Sequence, residues 1–174
     1  MGRFIAGVIA TIVVIVVGGY LFLNSGYVPA NADAKPGGLE LWAAGTALTA
    51  TIHRQAPTTP NPIPLTDANL VEGVKLYAGH CSFCHGTSQG DISATALARG
   101  LYPKPPQLAT DGVEDDPEGV TYWKIKHGIR LTAMPSWASA LNDQQIWTIA
   151  LFLKHMDKLP PNAQAAWSQV RNGG

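Results

Sequence analysis

Cysteine is scarce in this chain of 174 residues, which has only Cys81 and Cys84. Two thiols cannot furnish a four-sulfur zinc site or a disulfide-dense scaffold. An excess of charge of one sign is also lacking, because 12 Lys and Arg meet 12 Asp and Glu. The clustered basic excess of nucleic-acid binders is therefore missing, and no nucleic-acid partner is expected. No run alternates apolar and polar residues for long, so there is no signal for a substantial sheet. No internal repeat is present.

What the chain does have is one long apolar run at its start. Residues 4–23 read F-I-A-G-V-I-A-T-I-V-V-I-V-V-G-G-Y-L-F-L, without a charge. As a helix, such a run spans roughly 30 Å, the thickness of a bilayer core. A cleaved signal peptide would have a shorter apolar core, about 7–15 residues, with small residues close behind. Here the nearest small-x-small sites, Ala30-Asn31-Ala32 and Ala32-Asp33-Ala34, lie well beyond the run. Residues 1–23 are therefore expected to be a retained, single-pass anchor in the lipid bilayer. Arg3 and the terminal amine precede the span, which favours the N-terminus inside and the remainder outside.

Residues 24–65 read as a Pro-rich linker, opening with an extended tether over 24–38 that is rich in Pro, Gly, Ala and Asn. Within it, residues 39–54 suit a short helix, because Leu41, Gly45, Leu48 and Ile52 make one narrow stripe with Trp42 beside it. That helix could pack on a globular domain or lie at a membrane interface. The prolines of residues 56–64 force an extended strap, taken as the domain boundary. Residues 66–160 read as compact and helical. Thr66 or Asp67 can cap a first helix bearing Leu70, Val74 and Tyr77. A second helix is expected over 116–127, closed by Gly128. A third is expected over 142–158, opened by Asn142 and Gln145 as a capping box. Residues 161–174 read as an uninformative tail.

The chemistry is concentrated in Cys81-Ser82-Phe83-Cys84-His85, a C-x-x-C-H sequence that reads as covalent haem attachment. At a helix end, two thiols at this spacing reach two vinyl groups of one porphyrin. The next residue, His85, then offers an imidazole nitrogen to the iron. A zinc site would need a second pair of ligands. A thioredoxin-like pair would need a strand–helix context. A structural disulfide would leave the adjoining histidine unexplained. For the opposite axial position the candidate is Met134, which lies in an irregular stretch 49 residues after His85 and is kept out of a helix by Pro135. A His/Met-held iron has a raised potential suited to electron transfer. His53, His80, His127 and His155 read as ordinary surface residues.

With these residues in view, residues 66–160 resemble a class I c-type cytochrome. The resemblance rests on Gly73-x-x-x-Tyr77, Cys81 to His85 with Gly86, and Tyr102-Pro-Lys-Pro-Pro-Gln-Leu108. Gly128-Ile129 leading to Met134-Pro135, and Ile149-Ala-Leu-Phe152-Leu153, complete it. C-x-x-C-H is highly specific, while the others are weak singly. The resemblance implies an all-α fold around one covalent haem c, with the first and last helices crossing where Gly73 meets Phe152. It implies that Tyr77, Pro105, Ile129 and Trp137 pack on the haem. It also implies that a carbonyl of the proline stretch, Pro105 by expectation, accepts the Nδ1 proton of His85. The function implied is single-electron transfer between redox proteins of a respiratory or photosynthetic chain, with no small-molecule substrate. A fixed haem subunit of a larger membrane oxidoreductase is the alternative. Haem attachment in this family implies a bacterial inner membrane, with the haem domain on the periplasmic side.

Overall fold

The computed structural model of the chain describes residues 1–90, 92 and 96–171. It divides into two units, residues 1–35 and 36–174. The first consists of helix α1 (Gly2–Asn24) and a short extension. No residue of α1 is buried, and the helix is long and apolar enough to cross a membrane.

The second unit is helical, and the one strand-like pairing among its described residues is an isolated bridge between Thr87 and Gly90. Its elements are α2 (Gly38–Gln55), α3 (Asp67–His80), α4 (Ser82–His85), α5 (Ala96–Gly100), α6 (Glu118–His127), α7 (Asp143–Lys154), a 3-10 turn (Met156–Lys158) and α8 (Pro161–Gln169). The side chain of Thr66 caps α3 by accepting from the Asn69 N–H. Asn142 and Gln145 form a reciprocal capping box on α7, which satisfies two otherwise unpaired N–H groups. The second helix starts at Glu118, two residues later than expected, because Asp116 does not cap it. That carboxylate instead pairs with Lys124 Nζ at 2.6 Å. The third helix ends at Lys154 and tightens into the 3-10 turn before the prolines.

The core sits where α3 crosses α7. Val74, Tyr77, Ile146, Ile149 and Phe152 are almost wholly removed from water. Gly73 faces α7 so closely that a Cβ would lie 2.6 Å from Phe152 Cβ and 2.7 Å from the Thr148 carbonyl. No residue but glycine fits there without parting the helices. Tyr122 of α6 stacks on Trp147 of α7 at 4.2 Å between ring centroids. At the end of α6, Lys126 Nζ reaches Asp143 at 2.8 Å.

Two sequence expectations need correction. The proline strap is not a boundary, because it belongs to the globular unit. Asn61 Nδ2 donates to Glu118 Oε1 at 2.8 Å and to the Trp147 carbonyl at 3.1 Å. The Pro57 carbonyl sits where a Gly119 side chain would be. The α2 helix contacts α6, with Leu48 and Ile52 half-buried while Leu39, Leu41 and Trp42 stay exposed. Nor is 161–174 merely a tail. Pro161 starts a new helix, as proline suits a first turn. α8 then buries Trp167 edge-on against Tyr77 and Phe152, at 5.4 and 5.3 Å.

The close crossing gives a first prediction. Gly73→Ala should destabilise the folded chain by about 1–3 kcal/mol, the usual range for overpacking. An unchanged thermal melt would show that the helices separate at no cost.

Candidate functional site: the Cys81–His85 turn and its facing loops

Helix α3 delivers Cys81 as its last half-helical residue, its N–H bonded to the Tyr77 carbonyl at 2.8 Å. The chain then makes the single turn α4, closed by the bond from the His85 N–H to the Cys81 carbonyl at 2.9 Å. Gly86 ends it at φ 76°, a conformation that favours glycine. Both cysteines are free thiols, Cys81 buried and Cys84 half-buried. Burial pushes the Cys81 thiol up to about 12 and raises Cys84 as well.

His85 is oriented by its ring. Nδ1 lies 2.8 Å from the Pro106 carbonyl oxygen. A carbonyl only accepts, so Nδ1 carries the proton and Nε2 presents its lone pair. Burial lowers the affinity of the ring for a second proton, against the opposing pull of the Pro106 bond. The imidazole is thus held neutral, with Nε2 as a free donor to a metal. The acceptor is Pro106, not Pro105. The Pro105 carbonyl is taken by Gln107 Nε2 at 3.0 Å. The bond from the Leu108 N–H to the His85 carbonyl, at 3.1 Å, then seats the neighbouring Pro106 against the ring.

Tyr77, expected against the haem, is wholly buried, with its ring edge-on to Phe152 at 5.5 Å. Its hydroxyl donates to the carbonyls of Gly86 at 2.9 Å and His85 at 3.2 Å. It therefore ties α3 to the end of the C-x-x-C-H turn.

Met134 is held by a second device. Gly128 ends α6 at φ 68°, and a Cβ there would fall 2.5 Å from the Pro135 carbonyl carbon. The loop closes on itself: the Ile129 N–H donates to the Met134 carbonyl at 3.1 Å. Thr132 Oγ1 donates to the Ile129 carbonyl at 2.7 Å and accepts from the Met134 N–H at 3.0 Å. Beyond it, the Trp137 N–H donates to Ile125 at 3.2 Å and Ser136 Oγ to Lys126 at 2.7 Å. Met134 and Trp137 pack, half-buried, on the same apolar cluster that contains Cys81 and Tyr77. Trp137 also meets the ring of the exposed His80 at 5.3 Å. Ile129 is half-buried in the loop.

Comparison with known proteins decides the family. A profile of the family described as cytochrome c oxidase, cbb3-type, subunit III matches residues 68–153. Cytochrome c6 of Parathermosynechococcus lividus is 26% identical over 86 residues, covering 49% of this chain and 88% of that protein. No solved structure gives a significant match. The globular unit is a class I c-type cytochrome. Its role is electron transfer, and its cofactor is haem c.

The donors present fit that group. Cytochromes of this class take two thioethers, an imidazole and a soft axial sulfur. This domain offers two free thiols on one turn, an imidazole with its Nε2 unprotonated, and a half-buried thioether on a braced loop. Sequence reasoning missed the braces: Gln107, Thr132 and Trp167. Gln107 did carry a signal, a polar residue after two prolines within the 102–108 motif. Trp167 carried none, because its burial depends on α8 folding back on α3.

Tyr77→Phe should take the hydroxyl donor from the buried Gly86 carbonyl and leave the His85 carbonyl with the Leu108 N–H alone, at a cost of about 1–3 kcal/mol. Denaturant unfolding of the haem-loaded protein measures it, and an unchanged midpoint would refute the clamp.

Proposed function

We propose that the chain is a membrane-anchored, mono-haem electron carrier, with α1 as the anchor and the cytochrome domain on the periplasmic side of a bacterial inner membrane. The observation that carries this reading is the His85 Nδ1–Pro106 bond within C-x-x-C-H, which prepares an iron ligand. Cys81 and Cys84 would hold one haem through thioethers, and His85 and Met134 would take the two axial positions. When bound, the haem supplies a one-electron iron couple. The chain's residues would keep that couple in place: the fixed imidazole and the braced methionine would both bind the iron and leave no position for a substrate. Pro105, Ile129 and Trp137 would pack around the group.

The surface beside Met134 suits brief docking to a redox partner. Leu131 is 88% exposed and stands at φ 62°, a left-handed conformation for a residue with a side chain. Such residues cost about 1–3 kcal/mol and cluster at functional sites. Ala133 and Pro135 are exposed beside it. From residue 64 onward, nine Lys and Arg meet ten Asp and Glu, so steering by a strong single-sign field is not available. An anchor substitutes for it by raising the effective concentration of partners in the same membrane. The second reading, a fixed subunit of a membrane oxidoreductase, is favoured by the description of the matching family.

A native gel of gently solubilised membranes, stained for haem, separates the two readings. A haem band at the size of this chain supports a mobile carrier, whereas one found only in a large assembly makes it a subunit. Absence of covalent haem from the chain would refute both. Met134→Ala should open an axial position, so that the reduced protein gains carbon monoxide binding and its potential falls. Unaltered carbon monoxide resistance would remove Met134 from the ligand set. Leu131→Asn keeps a residue tolerant of the left-handed conformation and should leave stability within about 1 kcal/mol. It should also slow electron exchange with the native partner. Equal rates in stopped flow would place docking elsewhere.

A further inference from the structure

The side chain of Gln107 is buried between the C-x-x-C-H turn and the proline loop, with 6% of the residue exposed. All of its main hydrogen-bonding capacity is engaged. Oε1 accepts from the Ile92 N–H at 2.8 Å. Nε2 donates to the Cys84 carbonyl at 3.1 Å and to the Pro105 carbonyl at 3.0 Å. The backbone of Gln107 is pinned as well, its N–H to Asp111 Oδ2 at 2.6 Å and its carbonyl to the N–H groups of Thr110 and Asp111 at 2.9 and 2.8 Å.

These contacts join the residue before His85 to the residue before Pro106. The loop needs such a tie from a side chain. Pro105 and Pro106 have no N–H, so the segment has no backbone donors of its own at these positions. The Gln107 amide supplies two. With the Leu108–His85 backbone bond on the other side, it brackets the single hydrogen bond between His85 Nδ1 and Pro106.

We propose that Gln107 is a positioning residue that sets how strongly the Pro106 carbonyl engages His85, and thereby tunes the electron affinity of the haem. This rests on the reading of His85 as an iron ligand. A carbonyl that pulls on the Nδ1 proton makes the imidazole more basic. A more basic imidazole favours oxidised iron over reduced. Loosening the bracket therefore raises the reduction potential.

The test uses the full-length, haem-loaded chain and three variants. Gln107→Met keeps the length and removes every polar contact. Gln107→Asn keeps the amide but is one methylene shorter. Asn142→Ala removes the capping box of α7, destabilises the domain from a site outside both loops and serves as control. Gln107→Met should raise the potential and speed solvent exchange of the His85 Nδ1 proton about tenfold, as expected from weakening one hydrogen bond. Gln107→Asn should shift both in the same direction by less, and Asn142→Ala should move neither. If Gln107→Met does not take up haem, Gln107→Asn alone decides between a shift and none. Wild-type potential and exchange in the haem-loaded Gln107 variants, or equal shifts in Asn142→Ala, would overturn the proposal while leaving His85 as a ligand. A His85→Ala chain that kept the wild-type haem spectrum would instead remove the reading beneath it.

Discussion

Where α3 passes α7, Gly73 stands in contact with Phe152 and with the backbone of Thr148, and much of the domain follows from that close approach. With the helices this near, Tyr77 is brought one turn further along α3 into the space beside Phe152. Trp167 closes the third side, so three aromatic rings meet edge to face, an arrangement that aromatic rings prefer. Because Tyr77 is fixed there, its hydroxyl can reach the carbonyls of His85 and Gly86. The position of the C-x-x-C-H turn is thus inherited from the crossing through one side chain.

The two loops around the turn solve a common problem by different means. Each must present a donor or acceptor at a fixed place without a regular ladder of hydrogen bonds. The proline loop has rigid φ angles but few N–H groups, and it borrows donors from Gln107 and a backbone bond from Leu108 to His85. The methionine loop is tied by its own Thr132 and by the return of Ile129 to Met134. It also needs glycine at 128, where positive φ and the nearness of Pro135 coincide. Braced loops of this kind suit electron transfer, because an iron whose ligands scarcely move has little rearrangement to undergo between oxidation states. Leu131 departs from that economy. An exposed apolar side chain in a strained conformation serves nothing inside the domain, which is why it is assigned to docking.

Helix-scale features were legible in the sequence because their causes are local. The capping box at Asn142 and Gln145, the cap at Thr66 and the glycine stop at 128 are read from neighbouring residues. Gly73 and Phe152 were legible through resemblance. The strap of residues 56–64 and helix α8 were misread for one reason: their order comes from contacts made far along the chain. Asn61 reaches Glu118 and Trp147, and Trp167 reaches Tyr77. Proline content foretold that residues 56–64 are not helical but could not tell whether that strap was packed.

The sequence by itself determined the family, the C-x-x-C-H turn and the apolar segment, since C-x-x-C-H and an uncharged run of membrane length state their chemistry within a few residues. Only the tertiary structure decided that Pro106 rather than Pro105 faces His85, that Gln107 holds the two apart segments together, and that Tyr77 is a clamp. Adjacent prolines look alike in sequence. Which carbonyl meets a ring nitrogen depends on where two loops, brought together by a helix crossing, come to rest.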